Sequence, residues 1–143
     1  LTQGMFMKLL PLLVSVLIRL VWKLKIKWLC DPFWMQEVLK NILKNCIEHS
    51  PNGKIEIFYG IEKNLNKIII RDNGQGFMFG RENKIFERYF LGDRTKEGSS
   101  GLGLSIAQQV IKQHFGTITA SNRECGGAEF LILFPQMDAT TIY

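Results

Sequence analysis

Two short stretches decide how this chain is interpreted: DNGQGF at residues 72–77 and SSGLGLS at residues 99–105. The first follows an apolar run typical of a strand and places the carboxylate of Asp72 beside two glycines. A carboxylate can accept a hydrogen bond from an adenine amino group, and glycine lets a ring or a phosphate approach bare backbone. The second stretch is a glycine loop that opens a helix, where backbone N–H groups favour an anion. Together the two stretches predict a nucleotide site.

A polar stripe on an earlier helix belongs to the same predicted site. Glu37, Asn41, Asn45 and Glu48 recur at intervals of four, four and three residues, which places them on one helical face. The other side of this helix is apolar, so the helix can pack while it presents polar groups to a cleft. An amide oxygen is a suitable ligand for magnesium, which also binds phosphates and water. A solvated helix face would show the same pattern.

Each motif also has an ordinary explanation when it is taken alone. Asp-Asn-Gly is a strong turn signal, and a glycine before a helix is often only the start of that helix. Residues 101–105 are neither a P-loop, because no Gly-Lys-Ser/Thr follows, nor a dinucleotide fingerprint. A calcium loop at Asp72 is excluded because the required Asp or Asn positions and the closing Glu are missing. The combination is therefore more specific than any single motif.

The positive charge of the chain is concentrated at its beginning. The 143 residues carry a net charge of +5, and residues 1–30 contain five basic residues and no acidic one. The remainder is electrically balanced, so nothing there argues for a nucleic-acid partner. The cysteines, Cys30, Cys46 and Cys125, are widely spaced, which disfavours a zinc site or a disulfide framework. Reduced thiols in a cytoplasmic compartment fit better.

The ends of the chain differ from its middle. Residues 9–18 are uncharged, but a ten-residue run interrupted by Pro11 is too short to span a bilayer. Three alternatives stay open for residues 1–28: a packed helix of the domain, a membrane-proximal or interfacial segment, and a signal-like or aberrant sequence. Residues 23–28 alternate as a half-exposed strand does. Residues 137–143 are predicted to form a C-terminal tail. The core domain is therefore expected over residues 29–136.

Two amphipathic helices are predicted. The first has Asp31 as its N-cap and runs to about His49, and the second covers residues 102–115 and ends at Gly116. The apolar positions expected to pack are Met35, Val38 or Leu39, Ile42, Leu43 and Cys46 in the first helix, and Leu104, Ile106, Val110 and Ile111 in the second.

Strands are predicted between and after these helices. Residues 67–71 include three consecutive isoleucines, a pattern typical of a strand buried on both faces, and Asn64 or Asn66 is expected in the turn before it. The other predicted elements are strands at residues 54–59, 117–121 and 128–134 and a short helical piece near residues 84–89.

The motifs in this order resemble the ATP-binding domain of sensor histidine kinases, in the superfamily shared with gyrase, the mismatch-repair ATPases and the heat-shock chaperone ATPases. Four segments are similar to the sequence boxes of this family: the N box at residues 37–50, the G1 box at 72–77, the F box at 85–90 and the G2 box at 101–106. Residues 116–135 are similar to its closing strands. The resemblance implies an α+β fold, a two-layer α/β sandwich in which helices cover one face of a mixed, mostly antiparallel sheet (a Bergerat-type ATP-binding fold). It also implies ATP and Mg2+ as cofactors.

The resemblance further implies roles for single residues. Asn45 would ligate magnesium and Asn41 would lie near the phosphates, and these two are the implied catalytic residues. Asp72 would accept a hydrogen bond from the adenine amino group, in a pocket shaped by Gly74 and Gly76. Residues 86–100 would form a mobile ATP lid, from which Arg88 could reach a phosphate. The other implied cofactor-binding residues are Glu48, His49, Phe77, Phe86, Ser99, Ser100, Gly101, Leu102, Gly103 and Leu104.

The chain departs from the family pattern at three points. The segment before Asp31 matches the pattern poorly and is short. Glu48 and His49 stand where members often carry a lysine followed by an aromatic residue. A phosphoacceptor is also missing, because neither His49 nor His114 is followed by an acidic residue. The implied partner is therefore a histidine-bearing dimerisation domain, with a response regulator acting indirectly.

Further expectations concern the parent protein and the rival functions. The parent protein is expected at the cell membrane, with this domain cytoplasmic at the inner face. Two other functions remain open for the sequence. One is a different enzyme of the superfamily, such as a serine kinase or an ATP-driven clamp. The other is a non-catalytic module that binds a nucleotide or a partner.

Overall fold

The structure is a computed structural model that describes residues 32–50, 53–82, 84–88 and 102–135. Several predicted features lie outside these residues: the strand at residues 23–28, the Asp31 cap, most of the expected lid and the tail.

The first helix, α1, spans Pro32–His49 and ends where the sequence predicts. Its expected apolar positions are all buried, Val38 and Leu39 alike, and Ile47 joins them. This spacing places the apolar residues on one side of the helix, which packs on the sheet. After the helix, the backbone N–H of Ser50 donates to the carbonyl of Cys46, and the chain turns through Gly53.

The sheet contains four described strands, β1 at Ile55–Glu62, β2 at Leu65–Asp72, β3 at Thr117–Asn122 and β4 at Ala128–Pro135. Their order is β1-β2-β4-β3, and all three pairings are antiparallel. Lys63 and Asn64 make the turn between β1 and β2 with φ angles of 51° and 63°, the left-handed pair that a tight hairpin needs. Asn64 therefore occupies the turn. The alternative, Asn66, is wrong because this residue is buried in β2.

The prediction that the isoleucine strand is buried on both faces is wrong. Along β2 the burial alternates: Ile68 and Ile70 are buried, whereas Ile69 is only half-buried. Ile69 lies across from Phe58 on β1 and Leu131 on β4, on the face opposite the helices. Within the described residues, helices cover one face of the sheet, so only every second residue of β2 reaches the core.

The second helix, α2, spans Gly103–Gln113, and two predicted details of it are wrong. Ile106 is 39% exposed, whereas Ala107 is fully buried together with Val110 and Ile111. The residue that ends the helix with a positive φ is Phe115, at 61°, and not Gly116. The N–H of Phe115 donates to the carbonyl of Lys112 and that of Gly116 to Ile111, which is a Schellman motif with phenylalanine at the left-handed position.

Gly116 has a different reason to be glycine. A Cβ at this residue would lie 2.5 Å from the carbonyl oxygen of Leu133, so the chain passes too close to β4 for a side chain.

The core lies between the two helices and one face of the sheet. At its centre, Phe130 of β4 meets the rings of Phe77 and Phe86 edge to face, with centroid distances of 5.8 and 6.5 Å. Phe86 belongs to a short 3-10 helix at Lys84–Phe86, where the sequence predicts a helical piece. The expected α+β sandwich, with helices on one face of a mostly antiparallel sheet, is confirmed. No helix in the described ranges has the length and apolarity needed to cross a membrane.

Candidate functional site

The candidate site is built around Asp72, the last residue of β2. Its side chain is almost completely buried, with 1% of its surface exposed. The oxygen Oδ1 accepts hydrogen bonds from the backbone N–H groups of Gly74 and Ala128, each at 3.0 Å. The other oxygen, Oδ2, is buried and has no hydrogen-bond partner among the described residues. One oxygen is thus fixed by the backbone, while the second is a buried acceptor without a donor.

A buried acceptor of this kind is costly unless a ligand supplies a donor. The nearby thiol of Cys46 does not meet this need, because a thiol is a weak donor. Burial raises the pKa of this thiol far above its usual range, and the carboxylate of Asp72 adds to the rise. Cys46 therefore stays protonated beside Asp72, and Oδ2 keeps the capacity to accept from an amino group such as that of adenine.

Hydrogen bonds hold the residues after Asp72 against the end of α1 and the segment that follows it. Asn73 Oδ1 accepts from the hydroxyl of Ser50 at 3.0 Å and from the backbone N–H of Lys54 at 2.8 Å. At Gly74, an added Cβ would collide with the carbonyl oxygen of His49. The glycine is therefore needed so that the loop can lie directly against the helix.

The polar stripe of α1 meets the beginning of α2. Asn41 and Asn45 are both half-buried. A Cβ at Gly103 would lie 2.8 Å from Asn41 Oδ1, which places Asn41 beside the first turn of α2. Leu102 stands at the N-cap position of this helix, and its side chain accepts no hydrogen bond from the first N–H groups of the helix. A helix N-terminus of this kind favours an anion.

The other predicted site residues lie in several environments. Phe77 is half-buried against Phe130, and Phe86 is buried in the core. Arg88 is exposed just after the 3-10 helix. Glu48, His49, Leu102 and Leu104 are half-buried near the ends of the two helices. Ser99, Ser100 and Gly101 lie outside the described residues, as does most of the expected lid.

Four residues around Asp72 were not predicted from the sequence as part of the site: Asn122, Arg123, Gly127 and Ala128. Asn122 is the last residue of β3, Arg123 and Gly127 belong to the turn that follows, and Ala128 is the first residue of β4. Asn122 binds the backbone of Phe77, and Arg123 binds the backbone carbonyl of Asp72. The adjacent glycines at positions 126 and 127 indicate a turn in the sequence, but nothing in the spacing connects this turn to Asp72.

The described part of the chain contains no group of three or more His, Cys, Asp and Glu side chains that could hold a metal ion. Magnesium does not require such a group, because it binds through one or two protein oxygens together with phosphates and water. The amide oxygen of Asn45 is chemically suitable for this role, so the residues present fit magnesium bound together with a nucleotide.

The fold and these side chains define an α+β domain with a buried carboxylate and a helix N-terminus at one candidate nucleotide site. Residues 30–138 match the family of histidine kinase-, DNA gyrase B- and HSP90-like ATPases, and the chain belongs to this family.

Several relatives of the chain within this family are named as sensor kinases. Sensor histidine kinase YvrG of Bacillus subtilis is 33% identical over 112 residues, which is 76% of this chain and 19% of that protein. The catalytic domain of histidine kinase ThkA superimposes with a TM-score of 0.66 at 32% identity, covering 75% of this chain and 69% of that one. A mycobacterial sensor histidine kinase, MprB, gives a TM-score of 0.69 at 26% identity, with 75% of both chains covered. The chain thus spans about a fifth of the length of YvrG.

Proposed function

We propose that this chain is the ATP-binding catalytic part of a two-component sensor histidine kinase. It presents ATP with magnesium for phosphoryl transfer to a histidine on a separate dimerisation domain. The observation that carries the proposal is the carboxylate of Asp72: one oxygen is held by two backbone N–H groups, and the other is buried without a donor. The amino group of adenine supplies the missing donor.

The base, the phosphates and the magnesium ion are each assigned a binding group among the described residues. The base lies against Asp72, where the glycines of the loop leave room for it. The phosphates lie toward Asn41 and the first turn of α2, whose N–H groups favour negative charge. Asn45, one helical turn after Asn41, ligates magnesium. When it is bound, magnesium neutralises charge on the phosphates, and the protein contributes mainly positioning.

The acceptor histidine and its general base belong to the partner. Neither His49 nor His114 is followed by an acidic residue. The histidine therefore comes from a dimerisation domain, in the same parent protein or in trans, and a response regulator receives the phosphoryl group afterwards. We place the parent protein at the cell membrane and this domain at its cytoplasmic face.

Asn45→Ala is expected to remove most of the magnesium dependence of ATP binding. Loss of a residue that only supports a metal ligand already costs about 10- to 100-fold in metal affinity, and loss of the ligand itself should cost at least as much. Calorimetric titration of a non-hydrolysable ATP analogue, with magnesium and with EDTA, measures this effect. Gln36→Ala is the control, since it removes an amide from the same helix outside the polar stripe. If the Asn45 variant keeps the magnesium dependence of the parent, this ligand is misassigned.

Phosphoryl transfer is expected only when a histidine is supplied from outside. With radiolabelled ATP, the isolated chain should remain unlabelled, whereas the dimerisation domain of a related kinase such as YvrG should gain acid-labile, alkali-stable label. The same mixture with Asp72→Asn should transfer far less, because the base is no longer held. Acid-labile label on the isolated chain after removal of ATP would overturn these roles.

A further inference from the structure

The last residue of β3 and the turn to β4, together residues 122–127, lie against the loop that carries Asp72. The contacts connect residues far apart in the sequence and fall on both sides of the glycine pair at positions 74 and 76. We propose that Asn122 and Arg123 are positioning residues for the nucleotide base, which hold the backbone around Asp72 so that its carboxylate selects adenine. This inference rests on the proposed function and adds residues that act through Asp72.

Asn122 holds the far end of the loop. Its Oδ1 accepts from the backbone N–H of Phe77 at 2.6 Å, and its Nδ2 donates to the carbonyl of the same residue at 2.9 Å. The side-chain amide of Asn122 thus bonds both the N–H and the C=O of Phe77, as the backbone of a neighbouring strand would do. Gly76 makes this possible: its φ is +75°, and a Cβ there would lie 2.5 Å from Asn122 Oδ1.

Arg123 holds the near end of the loop. Its Nη1 donates to the backbone carbonyl of Asp72 at 2.9 Å. Its own backbone N–H donates to the carbonyl of Gly127 at 2.9 Å, and its carbonyl accepts from the N–H of Gly126 at 3.1 Å. These two hydrogen bonds within the turn fix the backbone of Arg123, and they therefore hold its guanidinium close to Asp72.

The first residue of β4, Ala128, binds the carboxylate directly. The N–H of Ala128 donates to Oδ1 of Asp72, so the hairpin contacts both the backbone and the side chain of this residue. A hydrogen bond selects one base over another only when donor and acceptor are well aligned. If the loop moves, Oδ2 no longer points in one direction, and the selectivity for the amino group of adenine falls before the binding of the phosphates does.

Inosine triphosphate separates this role from a purely structural one. It has the same triphosphate as ATP but carries a carbonyl oxygen where adenine has its amino group. Loss of general stability, or of the positive charge of Arg123, weakens the binding of both nucleotides alike. Loss of the alignment of Asp72 lowers the preference for ATP over inosine triphosphate.

The experiment measures the dissociation constants of ATP and inosine triphosphate, both with magnesium, for the parent chain and five variants. Asn122→Ala and Arg123→Gln are each expected to lower the preference for ATP by about fivefold, which is part of the roughly tenfold or more that a hydrogen bond to a charged carboxylate contributes. Arg123→Lys should restore part of it, and Asp72→Asn should abolish it. Glu124→Gln is the matched control, an exposed charge in the same turn, and should keep the preference of the parent.

The outcomes distinguish the two proposals. If Asn122→Ala and Arg123→Gln weaken both nucleotides by the same factor, or neither, the positioning role is overturned while the proposed function stands. If the parent chain binds no ATP, or binds it no better than inosine triphosphate, the proposed function itself fails. Urea unfolding of each variant, with Asn122→Ser as a milder replacement, identifies any variant whose loss of binding comes from unfolding.

Discussion

Replacing Phe130 with alanine is expected to lower the free energy of unfolding by about 3–5 kcal/mol, the range for a large aromatic residue removed from a core. Phe130 is fully buried at the middle of β4, where it pairs with Ile70 on one side and Ala120 on the other. Its ring is also the surface that Phe77 and Phe86 meet edge to face. Since a domain is typically stable by only about 5–15 kcal/mol, the variant should be close to unfolding.

Equilibrium unfolding in urea measures this effect as a shift in the midpoint. Leu131→Ala is the matched control: it is the next residue of β4, and it is half-buried on the face opposite the helices. It should cost clearly less, because part of its surface is already in water and no closed cavity forms. A cost for Leu131→Ala equal to that for Phe130→Ala would contradict a core that lies only between the helices and one face of the sheet.

The features that could be predicted from the sequence are those with local causes. The predicted apolar positions of α1 follow the helical period, and all of these are buried, whereas Phe33 and Trp34 in the first turn are exposed. The hairpin of β3 and β4 follows from two strand-like runs around a polar turn with two glycines, and the structure has it at nearly the predicted residues. Periodicity and turn chemistry act over a few neighbours, so one sequence is sufficient to identify them.

The wrong predictions share a different cause, which is packing between distant elements. Ile69 is apolar but faces away from the helices, and Ile106 is exposed while the smaller Ala107 is buried. Gly116 is explained by the close passage of β4, and the left-handed position falls to Phe115 instead. In each case the residue type indicates an apolar contact or a special backbone position, but the neighbour across the fold decides the role of the residue.

The candidate site also contains features with local causes, which the sequence shows, and features that depend on distant contacts, which it does not show. Asp72 and its glycines stand out in the sequence as a motif, and whether the motif binds a nucleotide remains a prediction. The side chains that fix the motif do not stand out, because Asn122 contacts a residue 45 positions away and Arg123 one 51 positions away. Such contacts depend on the register of β2 against β4, which brings Arg71 opposite Glu129 and so places the turn beside Asp72.

Gly127→Ala is expected to damage both the stability and the nucleotide site, whereas Gly126→Ala should damage only stability, and less. Both glycines have φ of +95°, so alanine costs about 1–2 kcal/mol of backbone strain at either position. At Gly126 a Cβ would meet no atom within 4 Å. At Gly127 it would collide with the carbonyl of Asp72 and lie 2.9 Å from the Cα of Asn73. Gly127→Ala must therefore push the end of β2 away from the turn.

This pair of variants separates strain from displacement, because the strain is the same and only the collision differs. Urea unfolding should place Gly127→Ala below Gly126→Ala in stability, and titration with an ATP analogue should show loss of binding for Gly127→Ala alone. The Gly126 variant should bind as the parent does, since nothing near Asp72 has to move. Equal nucleotide affinities for the two variants would mean that the close approach of Gly127 to Asp72 does not shape the site.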